Sequence, residues 1–281
     1  MQVAIIGGTG LVGKRTAALL RDAGHEVIVV SRSKGDVQWD TRSPCPVQAE
    51  AIVNLAGASI GGKRWNKAYK QEMVRSRVET TRLVAEANPK AKWVQASAIG
   101  YYGINPDGDC VENRGPGDDY LANLCVAWEA EAPASATVLR FGHVLDKREG
   151  FLARLLPIYK MRLGGPIASG KQGLPWVHVE DVARAIVWAL EHGARGPYNL
   201  ASPGAGTQRQ FNAGLARTLG VCAKAPMPGF ALRMVVGELG NYLVGGQQTP
   251  PTRLLQEGFT FKHPDLEAAL ADVLAPDEET K

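Results

Sequence analysis

QVAIIGGTGLVG, residues 2–13, is the stretch that decides the fold. Gln2–Ile6 is an apolar run of strand length. From Leu11 to Ala23 the apolar residues recur with helical spacing, placing Leu11, Leu19 and Leu20 on one side. Between strand and helix, Gly8, Gly10 and Gly13 fit G-x-G-x-x-G, and Gly7, Gly10 and Gly13 fit the G-x-x-G-x-x-G variant. In such a loop one glycine makes a tight turn, one lets a pyrophosphate touch the backbone, and one lets the helix pack closely on the strand. The pyrophosphate would sit on free N–H groups at the positive end of the helix. A glycine pattern alone is a weak signal; the strand before it and the helix after it give it meaning.

The next strand, Glu26–Val30, runs into Ser31, Arg32, Ser33 and Lys34. A site for NAD usually places Asp or Glu ~20 residues past the loop, bonding the ribose 2′-hydroxyl. Here no acid occurs until Asp36. An acid would repel a 2′-phosphate, whereas Arg32 can fork onto one with Ser31 donating a further hydrogen bond. The expected cofactor is therefore NADP(H) rather than NAD(H).

Outward from this unit the alternation continues. Ala51–Leu55, Lys92–Ser97 and Thr137–Phe141 read as strands, with helices over about Asn66–Asn88 and Tyr120–Ala132 between them. That pattern specifies an α/β protein with a Rossmann-type, doubly wound parallel sheet covered on both faces. Past Gly142 the texture changes, with Gly, Pro and Trp frequent between Gly164 and Trp176. A helix is expected near Asp181, a good N-cap type, then a strand at Tyr198–Leu200 and a helix near Gln208–Leu219. The tail from Ala225 reads as a small helical module ending in GFTFKHPDLEAALADVL (258–274), with Pro264 at the first helical position and Asp265 at the second. Asp277–Lys281 are expected to fray. Two parts follow: a Rossmann domain over 1–222, with substrate-cleft segments from about 150, and a small, mostly α C-terminal subdomain over 223–281.

The bulk composition excludes several classes. Lys and Arg number 32 against 28 Asp and Glu, a net charge of +4 without a basic stripe, so no nucleic-acid partner is expected. Cys45, Cys110, Cys125 and Cys222 form no C-x-x-C pair and no zinc spacing; they read as free thiols in a reducing compartment, with no metal. No run reaches the ~18 apolar residues of a membrane span, and no charged leader precedes the first strand. A cytoplasmic protein starting at Met1 is the expectation.

The glycine loop and second strand resemble the extended short-chain dehydrogenase/reductase superfamily. NLAG (54–57), Arg64-Trp65, SRVETTRL (76–83), SAIGYYG (97–103), WEAEA (128–132), GGPIASGKQGLPWVHVEDVA (164–183) and the tail are similar to one branch of it, the atypical epimerase-like family of NADP-binding proteins. The resemblance covers essentially the whole chain. It implies that Gly7, Thr9, Gly10, Leu11, Val12 and Gly13 hold the pyrophosphate, and that Ser31 and Arg32 take the 2′-phosphate. It also implies that Leu55, Ala56 and Gly57 line the adenosine side, that Glu72 and Arg77 face the cofactor from the following helix, and that Val144 passes near the nicotinamide. A dimer through two helices per subunit is typical of the superfamily.

The superfamily's catalytic Tyr-x-x-x-Lys is missing: none of the seven tyrosines has Lys four residues on. Aligning Glu129 with the acid that follows the pair puts Leu121 and Cys125 in the two slots. Counting back from Tyr102-Gly103 puts Ala98 in the serine slot, with Ser97 one residue early, on the other face of the strand. Two readings stay open. One is an enzyme with a rebuilt site, acting by NADP-linked oxidoreduction or epimerisation on a small hydroxyl or carbonyl compound. Its candidate proton donors are Ser97, Tyr102 and His143, with Tyr101 beside them, and Trp65 and Trp176 are candidate cleft walls. His178 either faces the substrate cleft or is structural. The other reading is a catalytically inactive NADP(H)-binding sensor or scaffold.

Overall fold

The structure, a computed structural model, describes residues 1–276, with the backbone alone at 105–107; the expected fraying of Asp277–Lys281 lies outside the described residues. Strands β1 (Gln2–Ile6), β2 (Glu26–Ser31), β3 (Val37–Gln38), β4 (Ala51–Asn54) and β5 (Lys92–Ala98) join strands at Thr137–Phe141 and Gly196–Leu200. Together they make one seven-stranded sheet, ordered from the Gly196–Leu200 edge through Thr137–Phe141, β5, β4, β1 and β2 to β3. Every pairing is parallel. The chain leaves β1 toward β2 on one side and returns to β4 on the other. The order thus reverses between β1 and β4, which opens a crevice at the strands' C-terminal ends.

Helix α1 (Leu11–Asp22) and helix α6 (Val179–His192) cover one face; α2 (Lys67–Val74), α3 (Thr80–Ala87) and α4 (Tyr120–Ala130) lie toward the other. The period-2 alternation of β1 divides the core accordingly. Val3 and Ile5 pack with Leu20, Ile186 and Leu190, while Ala4 and Ile6 pack with Ile52, Val84 and Trp93. Each large side chain so buried contributes roughly 1.5–3 kcal/mol. A further core joins α5 (Gly150–Lys160) and α7 (Gln208–Thr218) to the helix at Leu266–Leu274, through Leu152, Trp176, Phe211, Leu270 and Val273. Phe259 and Phe261 of the tail pack into the first core. The C-terminal region is helical, as the sequence indicates. No helix among the described residues is long and apolar enough to cross a membrane.

Three local details depart from the sequence reading. The N-cap of α6 is His178, whose Nδ1 accepts from Glu180 N–H at 3.1 Å, not Asp181. Asp181 lies inside the first turn, fully buried, and accepts instead from the backbone N–H groups of Lys262 (2.7 Å) and His263 (2.9 Å). In the tail, Asp265 is itself the N-cap, accepting from Glu267 and Ala268 N–H, so Pro264 falls one residue before the helix rather than on its first position. The helical run Lys67–Ala87 is interrupted by a π turn, Arg75–Glu79.

Candidate functional site

The loop after β1 is shaped by its own backbone. Gly7, at φ 80°, donates to Val30 O (2.9 Å), and Gly10 N–H donates back to Gly7 O (3.1 Å). A Cβ on Gly13 would stand 2.6 Å from the Gly8 Cα, so glycine is required for α1 to rest on the loop. The N-cap of α1 is Gly10, which has no side chain to accept from the first turn. The N–H groups of Leu11 and Val12 are thus open to an anion at the positive end of the helix.

Above this loop is a cleft of about 250 Å³ at the strand-order reversal. It brings together Gly7, Thr9 and Gly10 with Ser31, Arg32, Leu55, Ala56 and Gly57, eight of the residues the sequence reading assigned to the cofactor. Leu11, Val12 and Gly13 continue directly from its floor into α1. The Ser31 hydroxyl is committed to the turn that presents Arg32: it donates to Lys34 O and accepts from Lys34 N–H at 3.1 Å. Four lining residues escaped the sequence reading: Trp39, Thr41, Arg75 and Ser76. Thr41 sits at φ 64°, a left-handed conformation that a β-branched residue rarely adopts and that tends to be kept at functional sites.

The π turn accounts for two of the four. Thr80 N–H reaches back to Arg75 O, one residue further than an α turn allows. Turns of this kind recur at functional sites. Ser76 Oγ accepts from Ala58 N–H (2.9 Å), and Arg77 Nη2 donates to Ala58 O (2.9 Å), so consecutive side chains clamp the loop after β4. Arg77 is buried beneath Gly57 and against the Trp128 ring (4.9 Å), and burial lowers its pKa. Glu72 does not line the cleft; it forks onto Arg75 at 3.0 and 2.9 Å. That pairing holds its carboxyl below the usual range, with Arg32 and Arg42 adding to the effect.

The candidate proton donors part company. Ser97 Oγ donates to Glu129 at 2.5 Å, and Glu129 is forked by Arg140 at 2.9 and 2.8 Å. Arg140 Nη1 donates to the Tyr102 hydroxyl (3.0 Å), which donates in turn to Asn199 (2.7 Å). Burial pushes Tyr102 up to about 12. Ser97 and Tyr102 therefore belong to a closed, buried network, and neither offers a free hydroxyl to the cleft. Tyr101 lies beneath the Arg140 guanidinium at 3.4 Å. In the slots of the missing pair, Leu121 and Cys125 pack against Gly100, and burial lifts the Cys125 thiol to about 12, leaving it inert at neutral pH.

His143 is different. It lies in a short strand, His143–Leu145, paired with Trp176–His178. Its ring stacks on Phe151 (4.7 Å) and, among the described residues, makes no hydrogen bond. Burial pulls it down to about 4, so it is neutral at pH 7, with one N–H and one lone pair. Its neighbour Val144 points to the opposite side, toward the first core. Trp176 is part of the core rather than a cleft wall, whereas Trp65 packs edge-on to Tyr120 (5.4 Å) and beside Tyr242 (5.7 Å), joining α4 to the tail.

His178 is structural. With His263 (stacked at 3.9 Å) and Asp272 it forms the metal-ligand type of cluster found among the described residues. Because its Nδ1 accepts from Glu180 N–H, the neutral ring carries its proton on Nε2, 3.1 Å from Asp272 Oδ2. A ring so fixed donates to the carboxylate and has no lone pair there for a metal.

A seven-stranded parallel sheet, a glycine loop at its reversal point and a helix N-terminus bare of caps define a Rossmann-type nucleotide-binding fold of the extended kind. The chain belongs to the NAD dependent epimerase/dehydratase family, whose profile matches residues 3–201; a second, a domain of unknown function (DUF1731), matches residues 227–273. It is 36% identical over 294 residues to the mouse epimerase family protein SDR39U1, covering 98% of this chain and 100% of that one. It is 35% identical over 300 residues to the Bacillus subtilis epimerase family protein YfhF, covering 98% of each. A crystal structure of the human epimerase family protein SDR39U1 with NADPH superposes with a TM-score of 0.91 at 35% identity, covering 97% of this chain and 99% of that one. The nucleoside-diphosphate sugar epimerase of Corynebacterium glutamicum matches at TM-score 0.78 and 29% identity, over 98% of this chain and 58% of that one.

Proposed function

We propose that this protein binds NADP(H) in the cleft after β1 and uses it to oxidise, reduce or epimerise a small hydroxyl or carbonyl compound. The observation that carries the reading is the convergence of the bare α1 N-terminus, the glycine loop and Arg32, with no acid beside it, on one cleft at the sheet reversal. The human relative crystallised with NADPH supports it. The bound nicotinamide would supply or accept the hydride; the protein's part is to bind, orient and handle the proton. With Ser97 and Tyr102 locked away, that part falls to His143, whose neutral N–H can polarise a carbonyl oxygen without first being charged. The dimer typical of the superfamily is proposed for this chain as well, and light scattering decides it.

The second reading, an NADP(H) sensor without turnover, is favoured by the packing of Leu121 and Cys125 where the catalytic pair should stand. Titrating NADPH and NADH against wild type and Arg32→Ala tests the cofactor. Loss of Arg32 should cost NADPH binding ~1.5–3 kcal/mol, as for hydrogen bonds to charged groups, and leave NADH unchanged. Equal binding of the two cofactors by wild type would refute the NADP reading. Turnover of NADPH with a panel of small ketones and nucleotide sugars, lost in His143→Gln, supports the enzyme. NADPH binding with no turnover on any of them supports the sensor.

A further inference from the structure

We propose that Arg75, delivered to the cleft by the π turn and held by Glu72, is a second arginine for the adenosine 2′-phosphate and so a residue that sets NADP(H) over NAD(H). The inference rests on the NADP(H) reading above and concerns a position that lies 43 residues past Arg32, on a different element.

Arg75 lines the same cleft as Ser31 and Arg32. Two of its nitrogens are spent on Glu72: Nε at 3.0 Å and Nη2 at 2.9 Å. The remaining nitrogen, Nη1, has only a long contact with the Thr41 hydroxyl, at 3.4 Å. The fork to Glu72 thus fixes the guanidinium plane and leaves one edge for a ligand. This is the preorganised geometry in which arginine meets phosphate at low entropic cost.

The opposite wall is equally fixed. Asp40 Oδ1 accepts from Arg42 N–H (2.8 Å), Ser43 N–H (3.1 Å) and the Ser43 hydroxyl (3.0 Å), which holds Thr41 in its left-handed conformation beneath Arg75. Arg32 and Arg42 act on the same Glu72 carboxylate that Arg75 grips, so three guanidinium groups surround a single acid there. Such a surplus of positive charge suits a phosphate, which carries −1.5 to −2 near neutrality, and has no use in binding a ribose hydroxyl. The π turn matters because it shifts the register of every side chain after Val74 relative to an uninterrupted helix.

The experiment measures dissociation constants of NADPH, NADH, 2′,5′-ADP and 5′-AMP for wild type, Arg75→Ala, Arg75→Lys, Glu72→Gln and Arg32→Ala, each checked for an unchanged melting temperature. Arg75→Ala should weaken NADPH and 2′,5′-ADP ten- to a hundred-fold and move NADH and 5′-AMP by less than two-fold. Arg75→Lys should recover part of the loss. Glu72→Gln, a change at a positioning residue, should cost less than Arg75→Ala and with the same selectivity. A loss shared equally by phosphorylated and unphosphorylated ligands would show that Arg75 packs on adenine, and no loss at all would show that it is a surface ion pair; either overturns the proposal. If Arg75→Ala is silent while Arg32→Ala is selective, this inference alone falls. If wild type does not distinguish NADPH from NADH, the cofactor reading falls and takes this one with it.

Discussion

Glu129→Ala tests whether the serine and tyrosine nearest the missing catalytic pair are structural. Glu129 is 14% exposed and Arg140 4% exposed at their side chains, and the two are joined by paired bonds of 2.9 and 2.8 Å. Burial alone would discharge Arg140; the forked carboxylate outweighs it and raises the guanidinium's pKa instead. Removing the carboxylate leaves a buried guanidinium with Tyr102 and Tyr101 but no counter-charge, and strands the Ser97 hydroxyl. Breaking one side of such a pair costs about 3–5 kcal/mol, a large share of the 5–15 kcal/mol that holds a typical protein folded. At roughly 2–4 °C per kcal/mol for a chain of this size, the melting temperature should fall by roughly 6–20 °C.

The assay is urea denaturation with calorimetry, run beside the double variant Glu129→Leu/Arg140→Met. Replacing both partners by apolar groups of similar size is often neutral, so the double variant should recover most of the loss. NADPH affinity, measured where the single variant is still folded, should stay within a few-fold of wild type, because neither residue lines the cleft. A single-variant loss below about 1 kcal/mol, the range of an exposed pair, would refute the buried-pair reasoning. Intact stability with lost turnover would return Ser97 and Tyr102 to the list of catalytic groups.

Further outcomes follow from other parts of the molecule. His143 and His178 are both held near pH 4, below the ordinary 6.5, so the unfolded chain takes up protons first; stability is complete above about pH 6.5 and falls between there and about pH 4, by up to about 3 kcal/mol for each ring. Urea midpoints across that range check this, and His178→Gln should shallow the slope. Asp181→Asn replaces a buried carboxylate that accepts from two backbone N–H groups of the tail, and should cost roughly 1.5–3 kcal/mol. Limited proteolysis should then cut first near Lys262, and uniform resistance along the chain would count against the tether. Gly13→Ala drives a methyl into Gly8, and is expected to weaken NADPH binding at least ten-fold while NMR or circular dichroism shows the sheet intact; unchanged affinity would mean that α1 can retreat from the loop.

What the sequence made legible was local in cause. The glycine loop, the strand before it and the helix after it are contiguous, and each glycine answers to a neighbour within a few residues or in the next strand. The alternation that assigns Val3 and Ile5 to one face and Ala4 and Ile6 to the other is a property of the strand alone. Caps were harder. Asp181 has the right residue type for an N-cap, but its carboxylate is claimed by Lys262 and His263, some eighty residues on, and a histidine three positions earlier takes the role. Ser97 and Tyr102 have the residue types of proton donors. Their engagement depends on Glu129, Arg140 and Asn199, contributed by a helix and two separate strands, and no periodicity announces such a meeting.

That network also explains how the family's sheet can persist without the superfamily's catalytic pair. In this chain the end of β5 is held by Ser97 on Glu129 and by Gln247 on Ile99 O (2.8 Å), one bond from α4 and one from the tail. Tyr242 of the tail donates to Asp119 (2.9 Å), the N-cap of α4. The C-terminal module is thereby bonded to the elements that would otherwise carry the Tyr and Lys, and it occupies their surroundings with aromatic and amide groups. A proton donor for the nicotinamide must then come from the other lip of the cleft, where His143 follows the Thr137–Phe141 strand with its ring unbonded. The position of the helical module and the displacement of the chemistry onto His143 are two consequences of one packing arrangement.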